Sequence, residues 1–130
     1  MKNKTVALET AKGLRKRRFN EPVAAHYDVV GELIEQEPSS EAKARWNSPN
    51  HDIDIRHKVY AAPELAVAQQ WLREKKQFDV LVDREYFMGR IGKYYAKVIR
   101  LRDGAMSETP KYRSYEKALE SGIVRALRSL

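Results

Sequence analysis

Apolar residues recur at helical spacing in three segments of the chain, and these segments predict three helices. The first helix covers about 8–17 and ends ahead of Pro22, because the residue before a proline avoids the helical region. The second is the stretch APELAVAQQWLREKKQ, in which Pro63 suits the first helical position. The third, YEKALESGIVRALRSL, follows Ser114, a good N-cap residue. The apolar stripes are formed by Leu8, Ala11 and Leu14; by Leu65, Ala68 and Leu72, widened by Val67 and Trp71; and by Tyr115, Leu119, Ile123, Ala126, Leu127 and Leu130.

β-branched and aromatic residues predict two β-hairpins. The first lies in VAAHYDVVGELIEQ, with its turn near Val30 and Gly31. The second pairs a strand at 78–83 with a strand at 93–102 through the connection REYFMGRIG, and Asp103-Gly104 is the turn signal that ends it. The two strands of this second hairpin are expected to be antiparallel.

The segments between these elements are less periodic. HDIDIRHKVY at 51–60 is rich in β-branched residues and predicts one short extended strand, whereas the turn-forming residues of 37–50 predict a long loop. Trp46 either pins that loop to the protein body or stands exposed as a contact residue. Residues 105–113 either extend the edge of the last sheet or form a loop. Gly122, which is costly inside a helix, predicts a close approach of the last helix to a strand.

Taken together, these elements predict a single α+β domain over 1–130. Its antiparallel sheet has four to five strands in two hairpins, and about three helices pack mainly on one face. A chain of 130 residues has the size of one domain and buries roughly two-thirds of the surface that its unfolded form exposes.

Composition narrows the class of protein. Of the residues, 42% are hydrophobic and 33% are charged, which is typical of a soluble globular domain. The chain has no cysteine, so disulfides, thiolate zinc sites and cysteine nucleophiles are excluded. No apolar run approaches the roughly 18 residues of a membrane span, and no secretory signal is apparent. We therefore expect a cytoplasmic protein with no membrane partner.

The net charge of +7 is concentrated at the N-terminus. Residues 1–18 hold seven of the 25 Lys and Arg residues but one acidic residue, Glu9. The candidate contact residues in this segment are Arg15, Lys16, Arg17 and Arg18. A basic cluster attracts phosphate backbones or acidic partners, although Lys and Arg at a helix C-terminus also favour the helix dipole without any partner. Weaker candidates for the same contacts are Arg90, Lys93, Arg100, Arg102 and Trp46.

The stretch HDIDIRH at 51–57 has the residue types of a metal site but not the spacing. On an extended strand His51 and His57 would lie roughly 20 Å apart, too far to share one ion. The sequence therefore predicts no metal site here, and no glycine-rich phosphate loop or hydrolytic triad is present to suggest a cofactor or an enzyme. Asp83, Glu85 and His26 are acid-base candidates that no spacing joins into a catalytic site.

Three longer stretches carry a resemblance to a known family: LETAKGLRKRRFNEP, YAAPELAVAQQWLREKKQFDVLV and RSYEKALESGIVRALRSL. They resemble a family of small proteins from phages and prophage-like elements of Bacteroidales bacteria, which has no assigned activity. The matching positions include Leu8, Glu9, Ala11, Leu14, Phe19 and Pro22; Ala62, Pro63, Leu65, Ala68, Trp71, Leu72, Arg73 and Glu74; and Tyr115, Glu116, Ala118, Leu119, Glu120, Gly122, Ala126 and Leu127. Where those relatives commonly have glycine before the phenylalanine, this chain has Arg18.

Two classes of function follow from these observations. The resemblance implies a small non-enzymatic accessory protein that contacts an unidentified host or phage protein, presenting a sheet face, a strand edge or the long loop. The alternative is a nucleic-acid-binding protein that uses the basic end of the first helix. An exposed strand edge would also favour a homodimer.

Overall fold

A computed structural model describes residues 4–35 and 43–130. These residues form three α-helices and two three-stranded antiparallel sheets, which confirms the α+β class. The strands are divided between two sheets, where the sequence predicted one sheet of four to five. The chain divides into two compact units, Met1–Glu64 and Leu65–Leu130, and each is described by itself. The single domain over 1–130 stays a prediction.

The elements of the first unit are α1 (Leu8–Lys16), β1 (His26–Tyr27), β2 (Leu33–Ile34), a 3-10 helix (Pro49–His51) and β3 (Tyr60–Ala61). Those of the second unit are α2 (Leu65–Lys76), β4 (Phe78–Phe87), β5 (Arg90–Arg100), β6 (Ala105–Glu108) and α3 (Tyr115–Arg128). No helix in the described part of the chain is long and apolar enough to cross a membrane.

The sheet of the first unit has the strand order β2-β1-β3. The predicted hairpin is confirmed, since β1 and β2 pair antiparallel with His26 opposite Ile34. Its turn is held by the carboxylate of Asp28, which accepts hydrogen bonds from the backbone N–H groups of Val30 and Glu32. The other edge of β1 pairs with β3, so a segment distant in sequence completes the sheet.

The extended strand predicted over 51–60 is wrong, because only Tyr60 and Ala61 are in a strand. Residues 52–58 instead form a tight turn, in which the N–H of Ile53 donates to the carbonyl of His57 at 3.0 Å. The carboxylate of Asp54 accepts from the N–H groups of Arg56 and His57. A local side-chain cap of this kind competes with strand pairing and outweighs the β propensity of the isoleucines.

The loop predicted over 37–50 falls partly outside the described residues, which resume at 43. Within 43–48 the backbone forms one isolated bridge, between Ala44 and Val23, and Pro49 then begins the 3-10 helix. Asn47 is buried, and both the nitrogen and the oxygen of its side-chain amide form hydrogen bonds that fix this segment. Its Nδ2 donates to the carbonyl of Phe19 at 2.6 Å, and its Oδ1 accepts from the N–H of Ala61 at 2.9 Å.

The first helix, predicted over about 8–17, covers Leu8–Lys16, and a Schellman motif ends it, which leaves five residues before Pro22. The N–H of Phe19 donates to the carbonyl of Leu14 at 2.9 Å, and the N–H of Arg18 donates to that of Arg15 at 3.0 Å. Arg18 has a φ of 70°, the left-handed conformation that glycine adopts without steric cost. Glycine would fit this position without strain, whereas Arg18 forms the same motif at a steric cost.

The sheet of the second unit has the order β4-β5-β6 and contains a longer hairpin than the sequence predicted. The connection predicted over 84–92 is wrong, because β4 continues to Phe87 and β5 begins at Arg90. Met88 and Gly89 both have positive φ and make a two-residue turn, which fits the twist of the flanking strands. The sequence left open whether 105–113 extends the sheet or forms a loop. Residues Ala105–Glu108 extend the sheet, since they form strand β6 and pair with β5.

Helix α3 packs on β4 and β5, and α2 packs on β4 and α3. The close approach predicted at Gly122 is confirmed: a Cβ added there would lie 2.5 Å from the side chain of Val80 and 2.7 Å from that of Ala96. Trp71 is buried as part of the core. The α2 helix begins at Leu65, two residues after Pro63. The predicted stripes were wrong at three exposed positions, Val67, Tyr115 and Leu130.

Replacing Arg18 with glycine should stabilise the fold by about 1 kcal/mol, because the left-handed conformation costs an L-residue more than glycine loses in chain entropy. The measurement is the free energy of unfolding in urea. Lys16→Gly, inside the same helix, is the matched control and should lose about 1 kcal/mol. A destabilised Arg18→Gly variant would contradict the Schellman assignment.

Candidate interaction surfaces

Arg15 belongs to a buried ion pair rather than to a free basic cluster. Its guanidinium donates to the Oδ1 and Oδ2 atoms of Asp52 at 2.9 and 2.6 Å, and to the carbonyl oxygen of Val59 at 2.7 Å. The two charged side chains are only 15% and 10% exposed. The Oδ1 of Asp52 also accepts from the N–H of Val59 at 3.2 Å. Arg15 therefore joins α1 to the segments on either side of the 52–58 turn.

The hydrogen bonds from Arg15 lower the pKa of Asp52 below its usual value, and the backbone N–H of Val59 and the nearby charge of Lys58 act in the same direction. Burial alone would raise the pKa of Asp52, but the net shift is downward. The carboxylate is therefore held in its charged form, as the geometry of a two-point contact with guanidinium requires.

The other three residues of the predicted cluster remain accessible. Lys16 and Arg18 are exposed and Arg17 is half-buried, and none of them forms an ion pair with a described residue. Arg45 donates through its guanidinium to the carbonyl oxygen of Asn20 at 2.6 Å, which brings it to the segment that follows α1. Lys58 lies beside the Arg15–Asp52 pair, close enough to affect the pKa of Asp52. Arg45 and Lys58 were not predicted, because both are distant in sequence.

The two aspartates and two histidines of HDIDIRH are divided among three separate contacts, and only Asp54 and His57 contact each other. The ring of His51 lies against Trp46, Asp52 binds Arg15, and the carboxylate of Asp54 meets Nδ1 of His57 at 2.8 Å. The distance argument from an extended strand does not apply, since the stretch is folded. Within 4–35 and 43–130, no group of three His, Cys, Asp or Glu residues is arranged to hold a metal ion.

Trp46 pins its segment to the protein body, which decides between the two alternatives. Its indole N–H donates to the carbonyl oxygen of Val23 at 3.0 Å. His26 stacks on the indole with ring centroids 3.8 Å apart, and His51 contacts it at 4.8 Å. The contacts of Trp46 also bury part of the His26 ring.

The Nδ1 atom of His26 is buried without a hydrogen-bond partner among the described residues. Burial lowers the pKa of His26. The charge of Asp28 opposes this shift, and the charge of His51 adds to it.

The other acid-base candidates are engaged in ion pairs of the second unit. The carboxylate of Asp83 lies 3.3 Å from the Nζ atom of Lys97, and that of Glu85 lies 3.6 Å from the Nζ atom of Lys111. Of the weaker basic candidates, Arg100 pairs with Asp103 at 2.7 Å and holds the pKa of that carboxyl at about 2. These contacts place Asp83 and Glu85 in two separate surface ion pairs.

A cluster of exposed apolar side chains lies at the tip of the β4–β5 hairpin, in the segment that the sequence predicts to be a connection. Tyr86, Phe87, Met88 and Ile91 are 72%, 70%, 87% and 60% exposed. Tyr86 is opposite Ile91, and Phe87 is opposite Arg90, so the two pairs lie on opposite faces of the ribbon. The sequence signal that could have found this tip is Met88-Gly89 as a two-residue turn between β-prone residues.

The base of this hairpin is held firmly. The guanidinium of Arg84 lies over the ring of Tyr94 at 4.4 Å and donates to the carbonyl oxygen of Gly92 at 3.2 Å. The register shifts between Arg84 and Tyr86, where Gly92 lies against the side chain of Glu85 so closely that no Cβ would fit. Beyond this base Arg90 and Lys93 are exposed, and neither forms an ion pair within the described residues. Arg102 lies apart, in the exposed turn after β5.

Arg15→Ala should lower the free energy of unfolding by roughly 2–4 kcal/mol, because it leaves the carboxylate of Asp52 buried without its partner. Urea denaturation at neutral pH measures the change. Lys16→Ala, one residue away and exposed, should change the stability by less than about 0.5 kcal/mol. Equal effects of the two substitutions would contradict the structural role of Arg15.

The same pair should make stability depend on acid pH. Because the pKa of Asp52 is below its usual 3.8 in the folded state, the stabilisation is fully present above that pH and is lost as the pH falls through the folded pKa. The Asp52→Asn variant should therefore be less stable than the native chain at about pH 6 and approach it at about pH 2. A difference that is unchanged at acid pH would show that the charge of Asp52 is not responsible.

A second pH effect is expected from His26, whose pKa is below 6.5 in the folded state. The unfolded chain binds the proton first, so stability should fall as the pH is lowered through about 6.5. His26→Phe retains a ring for stacking on Trp46 but cannot titrate. Urea titrations followed by tryptophan fluorescence at about pH 7.5 and 5.5 should show a smaller loss for this variant than for the native chain. An identical loss of stability in the variant and the native chain would show that a group other than His26 causes the pH dependence.

Comparison of the chain with protein-family models, with curated proteins and with solved structures found no match.

Proposed function

We propose that the chain is a protein-interaction module that binds another protein through the tip of the β4–β5 hairpin. The observation that carries the proposal is the exposure of four large apolar side chains at that tip: Tyr86, Phe87, Met88 and Ile91. The resemblance to small phage proteins supports a non-enzymatic accessory role of this kind. It also implies a host or phage protein as the partner, in the cytoplasm that the sequence predicts.

The exposure of this cluster is unfavourable unless a partner covers it. Burying a large apolar side chain contributes about 1.5–3 kcal/mol, and aromatic residues dominate the binding energy of many protein interfaces. A short ribbon tip with a two-residue turn requires none of these four side chains for its own core. Contact with another protein accounts for their presence.

The arrangement of the tip suggests the shape of the partner. Tyr86 and Ile91 lie on one face of the ribbon, and Phe87 lies on the other. A flat surface would cover only one of these faces, whereas a cleft covers both. The exposed cations Arg90 and Lys93 flank the apolar side chains and complement an acidic rim. The proposed occupant is therefore a partner protein with an apolar cleft that is bordered by Asp or Glu.

The firm base of the hairpin supports binding by reducing its entropic cost. The Arg84–Tyr94 contact, the Glu85–Lys111 ion pair and the paired backbones of Tyr94 and Tyr112 fix the strands next to the tip. A preorganised element loses less conformational freedom on binding than a mobile loop does.

The test is a variant that keeps the hairpin but loses its apolar surface: Tyr86→Thr, Phe87→Thr, Met88→Asn and Ile91→Thr. Threonine preserves β propensity, and asparagine before Gly89 suits the positive φ of position 88. Partner proteins are identified by affinity purification from cells of the source organism, and the purified partner is then titrated by calorimetry. We expect the variant to bind it at least about 100-fold more weakly, a loss of about 2.7 kcal/mol.

The matched control removes apolar side chains that are equally exposed in the first unit: Val30→Thr, Ile53→Thr and Ile55→Thr. It should bind the partner as the native chain does. Equal binding by the native chain and the tip variant would refute the proposal. A native dimer in sedimentation that the tip variant disrupts would assign the tip to self-association instead.

A further inference from the structure

The first unit gathers five cations from three distant segments of the chain, and this arrangement does not depend on the hairpin of the second unit. Lys16, Arg17 and Arg18 end helix α1, whereas Arg45 and Lys58 come from the segments beside the 3-10 helix. We propose that these five residues form a nucleic-acid-binding surface that contacts the phosphodiester backbone. They are called the basic surface below.

Tertiary contacts place the two distant cations. The guanidinium of Arg45 is bonded to the carbonyl oxygen of Asn20, two residues beyond Arg18. Lys58 precedes Val59, whose N–H binds Asp52 and whose carbonyl binds Arg15. The backbone of Lys58 therefore lies next to the pair that anchors the same helix end, and the charge of Lys58 helps to lower the pKa of Asp52. The surface differs from the cluster predicted from sequence, because Arg15 leaves it and Arg45 and Lys58 join it.

Acidic groups do little to offset this charge. The carboxylate of Asp52 is neutralised by its two-point contact with Arg15, and both side chains are largely buried. The other acidic residues of the segments 10–28 and 43–64 are Glu21, Asp28, Asp54 and Glu64, and the carboxylate of Asp54 contacts His57, so the five cations outnumber them. The local charge therefore remains strongly positive, as an attraction to a polyanion requires.

The composition of the surface favours phosphate over carboxylate-rich protein. Three of its five members are arginines, whose planar guanidinium groups match two phosphate oxygens at once. The cations are spread over three segments, which suits an extended chain of phosphates rather than a single ion. Trp46, the nearby aromatic residue, is stacked against His26 and bonded to Val23. Backbone contact without base recognition is therefore expected, and such binding is insensitive to sequence and weakens steeply with salt.

The experiment is a fluorescence-anisotropy titration of the full chain with mixed-sequence single- and double-stranded oligonucleotides, at salt concentrations from about 50 to 200 mM. Lys16→Ala/Arg17→Ala/Arg18→Ala should lower the affinity at low salt at least tenfold. For duplex DNA the slope of log K against log salt should become less steep by about 0.9 for each phosphate contact removed, and for single strands by about 0.7.

The variant Arg45→Gln/Lys58→Gln tests the part of the surface that only the tertiary structure reveals. It should lower the affinity at least fivefold and also flatten the salt dependence. The matched control, Lys75→Ala/Arg113→Ala/Lys117→Ala, removes three exposed cations of the second unit and should change the affinity less than twofold. Circular dichroism before each titration establishes that the variants are folded.

Three outcomes would overturn the proposal. The first is no binding to either oligonucleotide at low salt. The second is an equal loss in the control, which would indicate that net charge alone is responsible. The third is equal affinity for poly-glutamate, which would assign the surface to acidic proteins. If the triple variant does not fold, the Arg45→Gln/Lys58→Gln variant and the salt dependence of the native chain decide the question.

Discussion

The ion pair between Arg15 and Asp52 is the interaction on which the first unit depends. A helix of nine residues and three strands of two residues each have little intrinsic stability. The guanidinium of Arg15 connects the helix to Asp52 and to the carbonyl of Val59, just before the third strand begins. Removing either charge leaves the other buried, so the cost of disruption exceeds that of an exposed pair. The buried amide of Asn47 links the same elements by hydrogen bonds.

The second unit depends instead on the packing of small residues. Gly122 brings α3 so close to Val80 and Ala96 that no side chain fits between them, and the helix thereby covers one face of the long hairpin. A covered and well-paired base permits the strands to continue beyond the helices. The tip that results exposes apolar side chains on a rigid support, which is the combination that protein docking requires.

The two proposed surfaces work by different forces, and this is why separate experiments distinguish them. The hairpin tip has a large apolar area and two exposed cations, Arg90 and Lys93, so its binding should be dominated by burial and depend little on salt. The basic surface has no free aromatic platform and acts through charge, so its binding should weaken as salt rises. The two pKa shifts of the first unit likewise have different causes. Hydrogen bonds from Arg15 lower the pKa of Asp52, whereas burial lowers the pKa of His26.

The sequence by itself determined the three helices, the α+β class, both hairpins, the N-cap at Ser114 and the close approach at Gly122, because local periodicity, capping and turn chemistry act over a few residues. Only the tertiary structure decided what distant residues do to each other. It divided the strands between two sheets and paired β3 with the distant β1, whereas the capped turn at 52–58 and the two-residue turn at Met88 and Gly89 follow from local turn chemistry. The tertiary structure also removed Arg15 from the basic cluster and added Arg45 and Lys58. A charged side chain that is paired with a buried partner no longer contributes to the surface. Packing sets the position of that partner, and no local sequence pattern encodes this position.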